Sequence, residues 1–482
     1  MSQTIKRSAI MLDPRSAVPL YCQLANAFRD AIVSGKLRAG DRVLPSRELQ
    51  LHLGISRTTA LNALGQLQAE GYVETIRGSG TFVSGSLLTS AKRRDIPADE
   101  TDLTPTNAAT RYLSAQSVIR ATDEMEGCRE GAIAFRPGIP ATDSFPSQFR
   151  RALNVSGCTE EALANPTLWA SERLRTALAQ RLQQTRGVVC SPDQILVVPS
   201  LDYAVSLIGR ALMAPLDPVV FEEPGCPVAR SILVALGARL ILAPIDDRGL
   251  DVRSLANLSA AMAFVTPSHQ YPLGSVLSLE RRIALLQWAS SCDAWIVEND
   301  YDSEFSYLGQ PQPTLHSLDD GERVLYMSTF SKILSPSIQL AFIIVPRALR
   351  RTFEAAHQAT GGHASPILQA ALAVFIESGQ LSRHLVKMRR IYDTRRRFLS
   401  TLLSGAGLRL RDSGAGLHFV AELPRHVPDT EISRRAADSG IVAPPLSRYF
   451  HGRPSLNGVV LGFAATSTSA AKQAAQTLCS VL

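Results

Sequence analysis

The chain has 482 residues, 45% of them hydrophobic and 19% charged, with a formal net charge of +7. That length exceeds one ordinary core and predicts two or more domains. The seven cysteines are scattered without a C-x-x-C pair or a histidine at ligand spacing, which argues against a disulfide framework and a zinc site. No basic flank, apolar stretch and cleavage site follow one another at the N-terminus, and no apolar run approaches the roughly 18 residues of a membrane span, so a cytoplasmic protein without a membrane partner is expected.

Charge is unevenly placed. Residues 1–95 hold 13 Lys and Arg against 7 Asp and Glu, so nearly the whole basic excess lies in the N-terminal fifth. Phosphate neutralisation is the commonest use of such a local excess, so charge alone leaves nucleic acid and a merely soluble basic surface as equal alternatives; the helix pattern of the same segment makes double-stranded DNA the expected partner. From Leu20 the residues Leu20, Leu24, Ala27, Phe28, Ala31 and Ile32 recur at helical spacing until Gly35. "PSRELQLHLG" then predicts a short helix capped by Ser46 and closed by Gly54, and Ser56 caps a longer helix, "RTTALNALGQLQAEG". Two helices across a glycine-containing turn form a helix-turn-helix, whose second helix places its first residues, Arg57, Thr58 and Thr59, in the major groove. Two alternating stretches around Gly78-Ser79-Gly80 predict a hairpin wing.

These strings, "PLYCQLANAFRDAI", "ELQLHLGISRTTALNAL" and "AEGYVETIRGSGTFV", resemble the winged helix of the GntR family over roughly residues 19–83. The resemblance implies DNA contacts at Arg47 before the second helix, at Ser56, Arg57, Thr58 and Thr59, and at Arg77 and Gly78 in the wing. Residues 1–85 are therefore expected to form the DNA-binding domain. Residues 86–129, polar and proline-bearing with a basic knot at Lys92, Arg93 and Arg94, are expected to be a flexible linker.

Residues 130–482 are expected to form the large domain. Past residue 190, apolar stretches such as "QILVVP", "PVVFEEP", "AMAFVTP", "AWIVEND" and "LAFIIVP" alternate with amphipathic segments, which predicts an α/β domain with a mostly parallel sheet. Ligands of such sheets sit beyond the carboxyl ends of strands, where "VTPSHQYPLG", "ENDYDSEF" and "STFSK" cluster. Those three strings resemble the fold-type I aminotransferase domain, and the whole chain resembles the MocR/GabR regulators, which join that domain to a GntR-type winged helix. The resemblance implies that Lys332 forms the Schiff base with pyridoxal phosphate. It implies cofactor contacts from Tyr301, Asn299, Ser328, Ser331 and Tyr271, with a cis bond before Pro272.

The chain departs from the family at several of these positions. Asn299 stands where an aspartate pairs with the pyridinium nitrogen, Gln339 where an arginine binds the phosphate, and Ser200-Leu201-Asp202 in the small phosphate turn; Cys226 replaces a tyrosine. Each lost or opposed charged hydrogen bond is worth roughly 1–3 kcal/mol, so three together reduce affinity by about 10² to 10⁶. Only Arg453 lies near the place of a substrate-carboxylate arginine, and it precedes that place by several residues. The expectation is a transcription regulator whose large domain senses a small molecule or dimerises as a homodimer, without transaminase activity. The alternative is an aminotransferase tethered to DNA.

Overall fold

The computed structural model describes residues 12–85, 110–114, 133–156, 159–160, 169–308, 312–319 and 323–481. It divides into two compact units, Met1–Thr104 and Pro105–Leu482. The expected linker, 86–129, falls mostly outside the described residues, as does the basic knot at Lys92, Arg93 and Arg94; residues 110–114 are helical.

The first unit packs α1 (Leu20–Val33), α2 (Ser46–Leu53) and α3 (Arg57–Ala69) against a small antiparallel sheet. That sheet has the order β1 (Arg42–Val43), β3 (Gly80–Val83), β2 (Val73–Ile76). Leu24, Phe28 and Ile32, the apolar stripe of α1, meet Leu49, Ala60, Ala63, Leu67 and the strand residues Val73 and Val83 in one core. Ser56 caps α3 as expected, its Oγ accepting from the Thr59 amide at 3.0 Å. Gly54 ends α2 in the left-handed region at φ +66°, where a side chain would be strained. Ser46 does not cap α2: it is the first helical residue, and Pro45, whose fixed φ suits a helix entry and whose carbonyl accepts from Leu49, takes the cap position. Arg47 consequently lies inside α2 rather than before it.

The second unit is built on an eight-stranded sheet in the order β5-β12-β11-β10-β9-β6-β7-β8. Its strands are β5 (Ile195–Val198), β6 (Pro218–Glu223), β7 (Arg239–Asp246), β8 (Gly249–Leu250), β9 (Met262–Val265), β10 (Trp295–Asn299), β11 (Val324–Thr329) and β12 (Ala341–Ile344). Every strand stretch read from the sequence is present. The central strands are parallel, while β12 runs antiparallel to both β5 and β11, and β8 antiparallel to β7. Alternation along the strands feeds both faces. Leu196, Val198, Val219 and Phe221 pack toward the helices Leu201–Leu212 and Pro227–Ala235, and Val220, Ala263, Val265 and Ile296 toward Leu279–Ser291. A smaller antiparallel sheet of β13 (Arg409–Arg411), β14 (His418–Glu422) and β16 (Gly458–Gly462) lies further along the chain, and β15 (Ile441–Val442) pairs in parallel with β4 (Ile133–Ala134). Among the described residues no helix is long and apolar enough to cross a membrane.

The loops at the carboxyl ends of β9, β10 and β11 hold the residues singled out from the sequence, as the crevice rule for open α/β sheets requires. Beneath them lies a buried ionic anchor. Asp300 accepts from Arg186 Nε at 2.9 Å and Nη2 at 3.1 Å, from the Tyr326 hydroxyl at 2.5 Å and from Ser303 at 2.7 Å. Burial would raise its pKa, yet these donors, Arg186 foremost, hold it below the usual aspartate value.

Candidate functional site

In the first unit Arg47, Ser56, Arg57, Thr58, Arg77 and Gly78 are all exposed. Arg57 and Thr58 are the first two residues of α3, whose free amides and positive dipole end suit phosphate. Ser56 Oγ and Thr59 Oγ1 lie 2.8 Å apart, so these two hydroxyls are already engaged with each other. Gly78, at φ +82°, forms the tight tip between β2 and β3 and leaves Arg77 outside the sheet.

In the second unit Lys332 is half-buried in the turn after β11. Its Nζ comes so close to Gly138, in "FRPGIP", that a Cβ there would lie 2.5 Å away. A glycine at that position therefore makes room for the lysine. Ser331 and Ser328 flank the turn, but the Ser328 hydroxyl donates to the Asp300 carbonyl at 2.8 Å and ties β11 to the loop after β10. That bond uses the hydroxyl proton and leaves its oxygen free to accept. Lys332 acts electrostatically on Asp202, Asp302, His418 and Cys226, which places its charge among groups from four separate segments.

Asn299 ends β10 and is buried, with an Oδ1 that has no hydrogen-bond partner. Tyr301 is buried with its hydroxyl 3.3 Å from His269 Nδ1. Tyr271 precedes a cis bond to Pro272 and packs edge-on against Tyr301, His418 and Tyr449, at centroid separations of 5.6, 5.2 and 5.3 Å. Burial raises both tyrosine pKa values well above their ordinary value, so these phenols stay protonated. An orphaned amide oxygen at the end of β10, an aromatic wall after β9 and a lysine after β11 are groups of the kind that a planar carbonyl compound meets.

The start of helix Leu201–Leu212 does not suit a phosphate. Its N-cap Ser200 already accepts from the Tyr203 amide at 3.0 Å. Asp202 lies in the first turn of that helix, where its carboxylate takes the electrostatically favourable place of an anion. Asp202 is exposed by surface area; partial desolvation raises the pKa of its carboxyl, and Lys332 pulls the other way. Gln339, where a phosphate cation was expected, is exposed at φ +44°. The residues present thus fit the ring of pyridoxal phosphate and not its dianionic group. Arg453 is exposed, and β16 itself, "GVVLG", carries no cation.

Three residues near this lysine escaped the sequence reading as individuals: His269, Asp302 and His418. The first two lie inside the strings "VTPSHQYPLG" and "ENDYDSEF" and the third in "GAGLH", but they are distant in sequence and nothing in their spacing ties them together. Gly138, in "FRPGIP", escaped it as well. Its proximity to Lys332 exists only in the folded chain.

Residues 20–83 match the GntR family of bacterial regulatory proteins, and residues 150–477 match the aminotransferase class I and II family. The chain is 36% identical over 465 residues to a probable rhizopine catabolism regulatory protein, MocR, of Rhizobium meliloti, covering 94% of this chain and 92% of that one. It is 32% identical over 459 residues to the pyridoxine biosynthesis transcriptional regulator PdxR of Corynebacterium glutamicum, covering 94% of each. Among solved structures, a multiple substrate aminotransferase from Thermococcus profundus superposes with a TM-score of 0.70 at 24% identity, over 78% of this chain and 96% of that one.

Proposed function

Because the chain belongs to the MocR-type family of HTH transcriptional regulators, with a GntR head and an aminotransferase-like domain, we propose that its large domain is a sensor for a small carbonyl or amino compound taken up at Lys332. The observation that carries this reading is a lysine seated against Gly138 in the turn after β11 whose charge reaches Asp202, an acid at the helix N-terminus where a phosphate would otherwise lie, with Asn299, Tyr301 and Tyr271 in the neighbouring strand-end loops. The ligand that suits such a cavity is a planar aldehyde or amine without a phosphate. Pyridoxal phosphate itself, the cofactor of the aminotransferase class, is expected to bind weakly. Transaminase turnover is not expected, since no cation stands on β16 for a substrate carboxylate.

Regulation then takes place on promoter DNA in the cytoplasm. The capped start of α3 enters the major groove, and Arg77 of the wing lies along the backbone, with the large domain pairing two copies into a homodimer. The test is a footprint of the full-length protein on the DNA flanking its own gene, combined with an absorbance scan during titration with pyridoxal, pyridoxal phosphate and simple amines. A protected half-site pair whose occupancy shifts with a ligand that also changes the absorbance supports the reading. Binding without sequence preference, or DNA affinity indifferent to every ligand that reaches Lys332, removes it. A turnover of amino donor to keto acceptor would instead establish the DNA-tethered aminotransferase, the reading that the intact Lys332 and Tyr301 favour.

A further inference from the structure

Behind the aromatic wall three buried side chains converge from three segments: His269 from the loop after β9, Asp302 from the loop after β10, and His418 at the start of β14. One donor atom from each lies within 4.8 Å of the other two. All three residues are at most 3% exposed. Four of their polar atoms, His269 Nε2, His418 Nδ1 and both oxygens of Asp302, have no partner of good hydrogen-bond geometry, although the Leu417 backbone lies near Asp302 and the Ala415 backbone near His269. Burying such atoms unpaired is costly, and several orphans facing one another in a native interior call for a shared partner. They do not bond to one another, so an internal hydrogen-bond network is not that partner.

We propose that His269, Asp302 and His418 bind a divalent first-row transition-metal ion through two imidazole nitrogens and one carboxylate. The orientation of the rings supports this. His418 Nε2 lies 3.0 Å from the Pro272 carbonyl, and a carbonyl only accepts, so the proton is on Nε2 and Nδ1 presents its lone pair to the cluster. Histidine ligands are commonly held in this way, by a backbone carbonyl on the far ring nitrogen. His269 Nδ1 faces the Tyr301 hydroxyl at 3.3 Å, a group that can donate or accept, and its Nε2 has no hydrogen-bond partner. Two glycines frame this ring. A Cβ on Gly416 would fall 2.2 Å from its Cε1, and one on Gly274 would fall 3.3 Å from its Nε2.

An ion centred among donors at the outer limit of that spacing would sit about 2.8 Å from each, so closure by roughly 0.7 Å gives bonds of about 2.1 Å. Mixed nitrogen and oxygen donors select zinc, cobalt, manganese or iron over calcium and magnesium. Burial also keeps both rings neutral, lowering His269 to about 3 and His418 to about 4. The charge that opposes the ion is Lys332, which acts on Asp302 and His418. Removing it should strengthen binding, and a hydrogen-bonded core cluster would show no such response.

The experiment uses the full-length protein stripped of metal with a chelator and titrated with Co²⁺ and Zn²⁺. One Co²⁺ per chain with a visible d–d band, displaced by Zn²⁺, is expected. Copper loading should give an electron paramagnetic resonance spectrum with coupling to two nitrogens, a readout that needs no variant. Asp302→Asn and His418→Gln should weaken Co²⁺ binding at least tenfold, and Lys332→Met should tighten it severalfold. The proposal is overturned if the unaltered chain binds no stoichiometric ion. It is equally overturned if folded Asp302→Asn and His418→Gln proteins bind as the parent does, or if the copper spectrum shows other than two nitrogens. None of these readouts depends on DNA or on a carbonyl ligand, so they stand apart from the sensor reading.

Discussion

A Cβ placed on Gly138 would lie 2.5 Å from Nζ of Lys332, and Gly138 itself sits at φ +71°, where side chains are strained. Gly138→Ala is therefore expected to cost about 1 kcal/mol in backbone strain. Because the clashing atom is the free end of a flexible lysine, the larger effect falls on where that amine points. A misplaced nucleophile loses on the order of 10- to 100-fold in rate. Stopped-flow absorbance on adding pyridoxal should show imine formation slowed by that factor, with the melting temperature only a few degrees lower and DNA affinity unchanged.

On the DNA side, Arg57 is exposed at the start of α3 and Arg77 at the wing tip. Arg57→Ala should reduce specific affinity by about 1–3 kcal/mol and relax sequence preference, as loss of a base contact does. Lys92→Ala should weaken all duplexes slightly, and Arg77→Ala should fall between the two. Fluorescence anisotropy with promoter and scrambled duplexes distinguishes these; equal losses on both duplexes for Arg57→Ala would show that this arginine reads no base.

The mismatch between the cavity and a phosphate can be repaired in stages. Asn299→Asp with Gln339→Arg restores a ring partner and a cation, but Asp202 still opposes the dianion from the helix N-terminus. Adding Asp202→Gln should raise pyridoxal phosphate affinity about 10³-fold over the parent, with the double variant intermediate. Spectroscopic titration measures this, and Lys332→Ala in the triple background should abolish the absorbance change. A parent protein that already holds pyridoxal phosphate stoichiometrically at micromolar concentration would show that Asp202 does not act against it.

Arg186 and Asp300 form a buried ion pair, with side chains 5% and 0% exposed. Arg186→Met leaves the carboxylate uncompensated and should destabilise the large domain by about 3–5 kcal/mol. Urea unfolding followed by near-ultraviolet circular dichroism should show this loss, and Asp300→Leu added to Arg186→Met should recover part of it.

Glu222 is buried against Thr266 and Gln270, and burial raises its carboxyl pKa from 4.5 to about 7. Between those values the folded state holds a proton that the unfolded state has released, so this group makes stability fall as pH rises from about 4.5 to 7. His316, lowered by burial to about 4, contributes the opposite slope below its ordinary value. Glu222→Gln should therefore make the stability of the large domain rise more steeply with pH than in the parent, by up to roughly 3 kcal/mol across that window. Urea midpoints of both proteins at several pH values measure the difference.

Local signals along the chain determined most of the architecture. Helical periodicity and caps located α1 to α3, and continuous apolar runs located β5 through β12, because each of these signals depends on neighbours a few residues apart. The same locality explains the errors. Whether Ser46 or Pro45 caps α2 turns on one residue of backbone geometry, and the bond from the Ser328 hydroxyl to the Asp300 carbonyl exists only once β11 is set beside the loop after β10. Lys332, Tyr301 and Asn299 were recognisable because each lies in a short string at a strand end. Gly138 against Lys332, and the group of His269, Asp302 and His418, join segments up to 194 residues apart. Only the tertiary fold sets His418, at the start of β14, against the loops after β9 and β10, and Gly138 against the turn after β11, since burial and the distances between donor atoms are properties of the folded chain.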